Sequence, residues 1–393
     1  MTDYGQTILD ALRGVIDPEL GADIVELGMA QKGWLDENGV ATVVVALTTA
    51  GCPLKAQLKR EILARLEGLP EVTRAEIEWT EMTTEQKAFA MSVARKNAQS
   101  SAGPNRVPAG ARVLAVASGK GGVGKSSITA NLAAGLAAKG FAVGVIDADI
   151  WGFSIPRMLG VEGRLEAAKN ADGVRTIVPR SIPVAHGTKS GRLDIVSMGL
   201  LVDDETDALM WRGLILNRAV QHFLEDVEWA TDLDYIVIDL PPGTGDVQMG
   251  LARMLPQSEM IVVTTPALAA QRVATRAVTM ARKSHLHVLG VIENMSAFIC
   301  EHGEEHAVFG KGGGEELARS ENLPFLGAIP LEPAVSAGGD NGAPVVLQST
   351  PASIALQEVV DKLVATFAPP ISMAGCSARM MDAALKALDN ADL

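Results

Sequence analysis

The chain has 393 residues, 48% of them apolar, enough for one large domain of roughly 250 residues and a smaller one, each with a core. Its 34 basic and 47 acidic residues leave a net charge of −13, which argues against the clustered positive charge on which nucleic-acid affinity rests. No apolar run approaches the roughly 18 residues of a membrane helix, so no membrane association is expected.

The opening Met1-Thr2-Asp3-Tyr4 lacks the basic-then-apolar pattern of a signal peptide, and the three cysteines, Cys52, Cys300 and Cys376, are too few and too scattered for a disulfide framework. A cytoplasmic location is expected from both.

Residues 1–82 predict a small α/β domain. A helix over 5–16 stops at Asp17-Pro18-Glu19; strands over 24–35 and 40–47 flank the turn Asp36-Glu37-Asn38-Gly39. Pro53 opens a helix reaching about residue 69, where its missing N–H costs nothing, and a strand over 74–79 completes the unit. Residues 83–110 are assigned to a linker, with helical character to about 98 and a turn-rich stretch, QSSAGPNRVPAG, after it. From residue 111 to 370 apolar strands recur at 113–117, 143–147, 235–239, 260–265, 287–293 and 325–329, with helical stretches between them. That alternation predicts an α/β domain with a mostly parallel sheet covered by helices on both faces. Residues 371–393 form a tail, with a helix over 378–388.

The strongest chemical signal is Gly119-Lys120-Gly121-Gly122-Val123-Gly124-Lys125-Ser126, which fits G-x-x-x-x-G-K-[ST] between a strand and a helix. Glycines let backbone N–H groups curl around phosphates, and the helix N-terminus adds dipole and donors. Lys125 is expected on the β- and γ-phosphates, the Ser126 hydroxyl on Mg²⁺, and Ser127 beside them, so ATP or GTP with Mg²⁺ is the expected ligand. The strand 143–147 delivers Asp147 and Asp149 to the carboxyl edge of the sheet, where ligands bind in such folds. Tyr235-Ile236-Val237-Ile238-Asp239 is an apolar strand ending in a carboxylate, suited to hydrated Mg²⁺, and it runs into Leu240-Pro241-Pro242-Gly243-Thr244-Gly245-Asp246, whose prolines beside glycines suit a γ-phosphate switch. Asn294 is expected at the adenine edge, and Pro330 in the segment that follows the last strand is expected beside the base.

Lys120 is a second lysine that the general motif does not require, and KGGVGK resembles the deviant Walker A group, which includes the nitrogenase iron protein and partition ATPases. The resemblance implies ATP as the nucleotide and a homodimer in which Lys120 reaches the partner's nucleotide, as an arginine finger does, with Asp149 orienting the attacking water and Asp147 supporting Mg²⁺. With DADIWGFSIP, IDLPPGTGD, ENMS and FGKGGG added, the chain resembles the Mrp/ApbC family of iron–sulfur cluster carrier ATPases over about 105–368. The first 82 residues resemble the small metal–sulfur cluster biosynthetic domain often fused ahead of them, with Asp17, Pro18, Glu19 and Cys52 on its motif positions. Expected partners are a second copy and apoproteins that receive clusters.

One departure stands out. The family places C-x-x-C after ENMS, whereas this chain reads Cys300-Glu301-His302-Gly303, with Gly303 at the second cysteine's place. Three readings stay open: mixed ligation by Cys300 with His302 or His306, transient or lost cluster binding, or another metal or none. The alternative function is a partition-type ATP-dependent switch without a cluster, which the short, net-acidic tail disfavours because membrane-targeted members need a basic amphipathic one.

Overall fold

The computed structural model describes residues 4–17, 20, 22–48, 55–101, 106–149, 152–169, 173–201, 220–243, 246–300, 302 and 304–371. Pro18, Glu19, Cys52, Pro53, Thr244, Gly245, Gly303, Cys376 and the tail helix expected at 378–388 lie outside them. Two compact units result, Met1–Ala102 and Gly103–Leu393. Among the described residues no helix is long and apolar enough to cross a membrane.

In the first unit α1 (Tyr4–Ala11) precedes two short paired strands, β1 (Ile16–Asp17) and β2 (Ala22–Asp23), and then β3 (Ala30–Leu35) and β4 (Val40–Leu47). β3 and β4 form the hairpin at the expected turn, although β3 starts at Ala30 and not at 24: Asp36 Oδ1 accepts from the amides of Asn38 and Val40 at 2.9 and 2.7 Å, and Gly39 supplies the positive φ of 78°. After α2 (Lys55–Leu66), β5 (Arg74–Glu81) pairs parallel with β4. Asp17, buried at the end of β1, accepts from the Leu20 amide at 2.8 Å and so fixes the turn after the first helix. The expected linker is corrected in its first part. Residues Thr84–Ser101 form α3, whose Ala90 and Ala94 are buried in the same core as Ile8, Leu27, Val43 and Ile62, so the helix belongs to the first unit.

The second unit holds a nine-stranded sheet in the order β10-β11-β7-β12-β6-β13-β14-β15, with β16 also on β14. Its strands are β6 (Arg112–Ser118), β7 (Ala142–Asp147), β10 (Arg180–His186), β11 (Lys189–Ser197), β12 (Tyr235–Asp239), β13 (Glu259–Thr264), β14 (His287–Ile299), β15 (Glu305–His306) and β16 (Phe325–Leu331). The run from β11 through β16 is parallel, and only β10 and β15 pair antiparallel. A separate small hairpin is formed by β8 (Glu166–Lys169) and β9 (Arg175–Val178). Successive residues of each central strand feed opposite cores: Leu114, Val145 and Val237 pack with Ile128 and Leu132 of α4 (Lys125–Ala138) and Leu356 of α10 (Pro351–Lys362). Val113, Ile146 and Ile236 pack instead with Leu251 of α6 (Asp246–Met254), Val278 of α7 (Leu268–Lys283) and Leu317 of α8 (Gly313–Ser320). Two more helices, α5 (Ile155–Met158) and α9 (Pro333–Asp340), lie near the strand ends. The mostly parallel sheet covered on both faces is therefore as the sequence predicts, and because both faces are buried its strands read as continuous apolar runs.

Candidate functional site

The central strands β6, β7 and β12 end side by side, Asp239 pairing in register with Asp147 and with Val116. β6 runs through Gly119–Gly124 into α4, so Lys125 opens the helix directly above those carboxylates. Two glycines carry the loop's geometry. Gly122 and Gly124 both have φ of 80°, a left-handed conformation that costs other residues about 1–2 kcal/mol. Around Gly122 a Cβ would meet nothing within 4 Å, leaving its backbone open to a ligand.

Lys125, only 6% exposed, places Nζ 2.7 Å from Asp239 Oδ1 and 3.7 Å from Asp149 Oδ2. Ser126 Oγ donates to Asp239 Oδ2 at 2.6 Å. The pair is a hard oxygen set of the kind Mg²⁺ takes, so the residues fit that ion. Thr129, one turn further along α4, adds a bond at 2.8 Å from Oγ1 to Asp239 Oδ1. Sequence reasoning missed Thr129, although its position four residues after Lys125 puts it on the same helix face. Lys120 is exposed and, among the described residues, makes no ion pair; only its carbonyl is engaged, by Ser118 Oγ at 3.0 Å.

Asp147 departs from the expected magnesium role in its contacts. Its Oδ1 accepts from the Asp149 amide at 3.2 Å, and its Oδ2 accepts from Ser197 Oγ at 3.0 Å and from the amides of Ser154 and Ile155 at 3.2 and 3.3 Å. The carboxylate thus ties the segment after β7 to β11, and Ser197 is a second residue the sequence did not reveal. Burial, and next the Asp239 charge, push Asp147 up to about 7. Burial also raises Asp149, against the opposing pull of Lys125.

The Asp147 shift has a stability consequence. The folded chain holds this proton more tightly than an unfolded one, in which aspartate titrates near 3.8. The stability tied to it is complete below about pH 4 and is lost as the pH climbs through about 7. In chemical denaturation, the stability of the wild type relative to Asp147→Asn should fall steadily over that window. A relative stability that rises with pH would mean that the four donors outweigh burial.

The Asn294 amide nitrogen is engaged within the protein: Nδ2 donates to the Val123 carbonyl at 2.9 Å, bracing the loop from β14. Asn294 nevertheless lines, with Gly124, Ser127, Pro330 and Val335, a cavity of about 230 Å³ beside the loop. Pro330 shares that cavity with Gly124 of the phosphate loop.

β14 continues past its expected end at 293 to Ile299, through a register shift after Asn294 and a left-handed Met295 at φ 55°. Beyond it, the hairpin pairs Phe298 with His306 and Ile299 with Glu305, and Cys300 N–H donates to the Glu304 carbonyl at 3.0 Å. The Cys300 sulfur, a Glu304 carboxylate oxygen and a His306 ring nitrogen all lie within 4.8 Å of one another. The hydrogen bond from His306, then the amides of His302 and Glu304, hold the Cys300 thiol below its ordinary range. Of the two histidines considered beside Cys300, it is His306 that joins the cluster. The FGKGGG segment is fastened to the same strand, since Gly314 N–H donates to the buried Glu293 carboxylate at 2.6 Å.

Comparison with known proteins agrees with both units. The family model described as NUBPL iron-transfer P-loop NTPase matches residues 110–364, and the one described as iron-sulfur cluster assembly protein matches residues 5–79. The iron-sulfur cluster carrier protein of Mycobacterium tuberculosis is 40% identical over 370 residues, 92% of this chain and 93% of its own. That of Deinococcus radiodurans is 41% identical over 351 residues, 89% of this chain and 91% of its own. Among solved structures, a nucleotide-binding protein from Archaeoglobus fulgidus in complex with ADP is 32% identical, with a TM-score of 0.51, covering 66% of this chain and 94% of that one.

Proposed function

The chain belongs to the iron–sulfur cluster carrier family of P-loop NTPases, and from that premise we propose that it binds and hydrolyses ATP with Mg²⁺ as a homodimer, coupling hydrolysis to cluster delivery to apoproteins in the cytoplasm. The observation that carries this reading is the convergence of Lys125, Ser126 and Asp239 within hydrogen-bonding distance at the mouth of the glycine loop. In it the backbone of Gly119–Lys125 cradles the phosphates and Lys125 leaves Asp239 for the β- and γ-oxygens. Ser126 and Asp239 hold Mg²⁺, which neutralises charge on the phosphates when bound. Asp149, 3.7 Å from the lysine, orients water. The cavity beside Gly124 and Pro330 takes the base. The exposed Lys120 reaches the nucleotide of the second copy, so turnover is slow until two copies meet.

β14 supports the coupling. It carries Asn294 on the phosphate loop and leads into Cys300 six residues later, roughly 20 Å of chain at most. A nucleotide can shift cargo affinity only through such a differential contact. The partition-type alternative lacks any comparable support from the relatives.

Anaerobic reconstitution with iron and sulfide tests the reading. The full chain should retain iron and acid-labile sulfide, and ATP with Mg²⁺ should accelerate their transfer to an apo-ferredoxin by at least about fivefold. Transfer at the same rate with and without ATP would sink the coupling. Retention of no sulfide would sink carriage itself.

A further inference from the structure

The segment after β14 keeps one cysteine but surrounds it with ligands of another kind. Cys300, Glu304 and His306 offer one sulfur, one oxygen and one nitrogen, gathered within 4.8 Å by a single hairpin. Three features make this a preformed site rather than a chance meeting of exposed side chains. The β14–β15 pairing fixes the register that puts His306 opposite Phe298, and the two rings lie 6.3 Å apart. The Cys300 amide closes the turn on the Glu304 carbonyl. The amides of His302 and Glu304 are directed at the sulfur, the arrangement in which a tight turn stabilises a metal-bound thiolate. Their folding has already met the entropic cost of gathering the ligands.

From this geometry we infer that Cys300, Glu304 and His306 form a mononuclear binding site for one zinc-type divalent ion per chain, leaving its fourth position open. Metal–ligand bonds of about 2.0–2.3 Å give tetrahedral edges of roughly 3.3–3.8 Å, so closure needs a contraction of at most roughly 1.5 Å. Glu304 and His306 are exposed and free to make it by rotation. Mixed sulfur, nitrogen and oxygen donors suit Zn²⁺, and Fe²⁺ binds the same set more weakly by the usual order of affinities. Four-iron clusters call for four thiolates, and two copies of Cys300 provide two. The inference goes beyond the carrier reading and does not depend on it: all three ligands come from one chain. It adds a consequence for that reading, because a lone ion and a cluster compete for the same sulfur.

The test is an anaerobic titration of the full-length, chelator-stripped, reduced protein with Co²⁺. One equivalent should bind with a thiolate-to-cobalt charge-transfer band, which cobalt at the all-oxygen Ser126–Asp239 site cannot give. Zn²⁺ should bleach it at stoichiometric amounts, and Fe²⁺ only in excess. Cys300→Ser should abolish the band; Glu304→Gln and His306→Ala should each weaken Co²⁺ binding at least about tenfold. Unchanged melting of the three variants would exclude misfolding as the cause of these losses. A band that survives in Cys300→Ser, or cobalt affinity indifferent to Glu304→Gln and His306→Ala, would overturn the site. So would iron uptake that always brings equal sulfide while Co²⁺ gives no thiolate band, a result that leaves cluster carriage standing. Zn²⁺-loaded protein that resists cluster reconstitution is the expected result on competition, and full reconstitution with Zn²⁺ still bound would overturn the shared sulfur.

Discussion

Lys125→Ala should lower ATP hydrolysis by at least about 100-fold, the scale on which removing one fixed charge from a phosphoryl or oxyanion site acts. The side chain is 5% exposed and is held between Asp239 and Asp149, with the Asp147 carboxyl beside them. Its removal therefore withdraws the only cation described within 4 Å of these carboxylates. Breaking such a buried pair costs about 3–5 kcal/mol. Asp147 and Asp149, both pulled down by the Lys125 charge, then hold their protons more tightly, so the variant should be least stable at alkaline pH. Lys125→Met keeps the volume and separates lost chemistry from a collapsed site. Lys120→Ala provides the contrast. Its side chain is exposed, so melting and single-chain ATP affinity should stay near wild type while turnover falls. Steady-state phosphate release and calorimetric ATP titration read both variants. Full hydrolysis by Lys125→Met would reject the assignment of the phosphate site, and unchanged turnover in Lys120→Ala would reject the role across the dimer.

Much of this site was legible because its geometry is local. A glycine loop between strand and helix fixes Lys125 and Ser126 relative to one another, and an apolar strand that ends in aspartate marks Asp239 as their partner, although only the pairing of β12 with β6 brings it there. What stayed hidden depends on pairing between distant segments. β10 and β11 contain few continuous apolar residues, and β11 joins the sheet only because Leu193 and Ile195 find parallel partners fifty residues earlier in Val143 and Val145. Ser197 has its role through that same pairing. The end of β14 was obscured differently. An asparagine followed by a left-handed methionine reads as a turn, yet the strand absorbs the irregularity and continues to Ile299. α3 shows the limit of composition: its polar sequence looks like linker, and two alanines suffice to seat it on the first unit.

Gly124→Ala should be far more disruptive than the same change at Gly122, with nucleotide affinity falling at least about 30-fold. The left-handed backbone costs alanine about 1–2 kcal/mol. The added Cβ would also collide with Asn294 Nδ2, forcing a 5%-exposed amide off the Val123 carbonyl. A displaced buried hydrogen bond adds about 1–3 kcal/mol, so the total destabilisation is about 2–5 kcal/mol. Gly122 has the same φ but open surroundings, and Gly122→Ala should cost the backbone term alone in the ligand-free protein. A double-mutant cycle isolates the contact. With Asn294→Ala in place the methyl has room, so Gly124→Ala should become milder by more than about 1 kcal/mol in denaturant melts. The same Asn294→Ala change should uncouple ATP from cargo release, because Asn294 joins the phosphate loop to the strand that leads into Cys300. Equal costs for the two glycine variants and strict additivity in the cycle would show that the asparagine does not brace the loop, and the route from nucleotide to cargo along β14 would lose its first link.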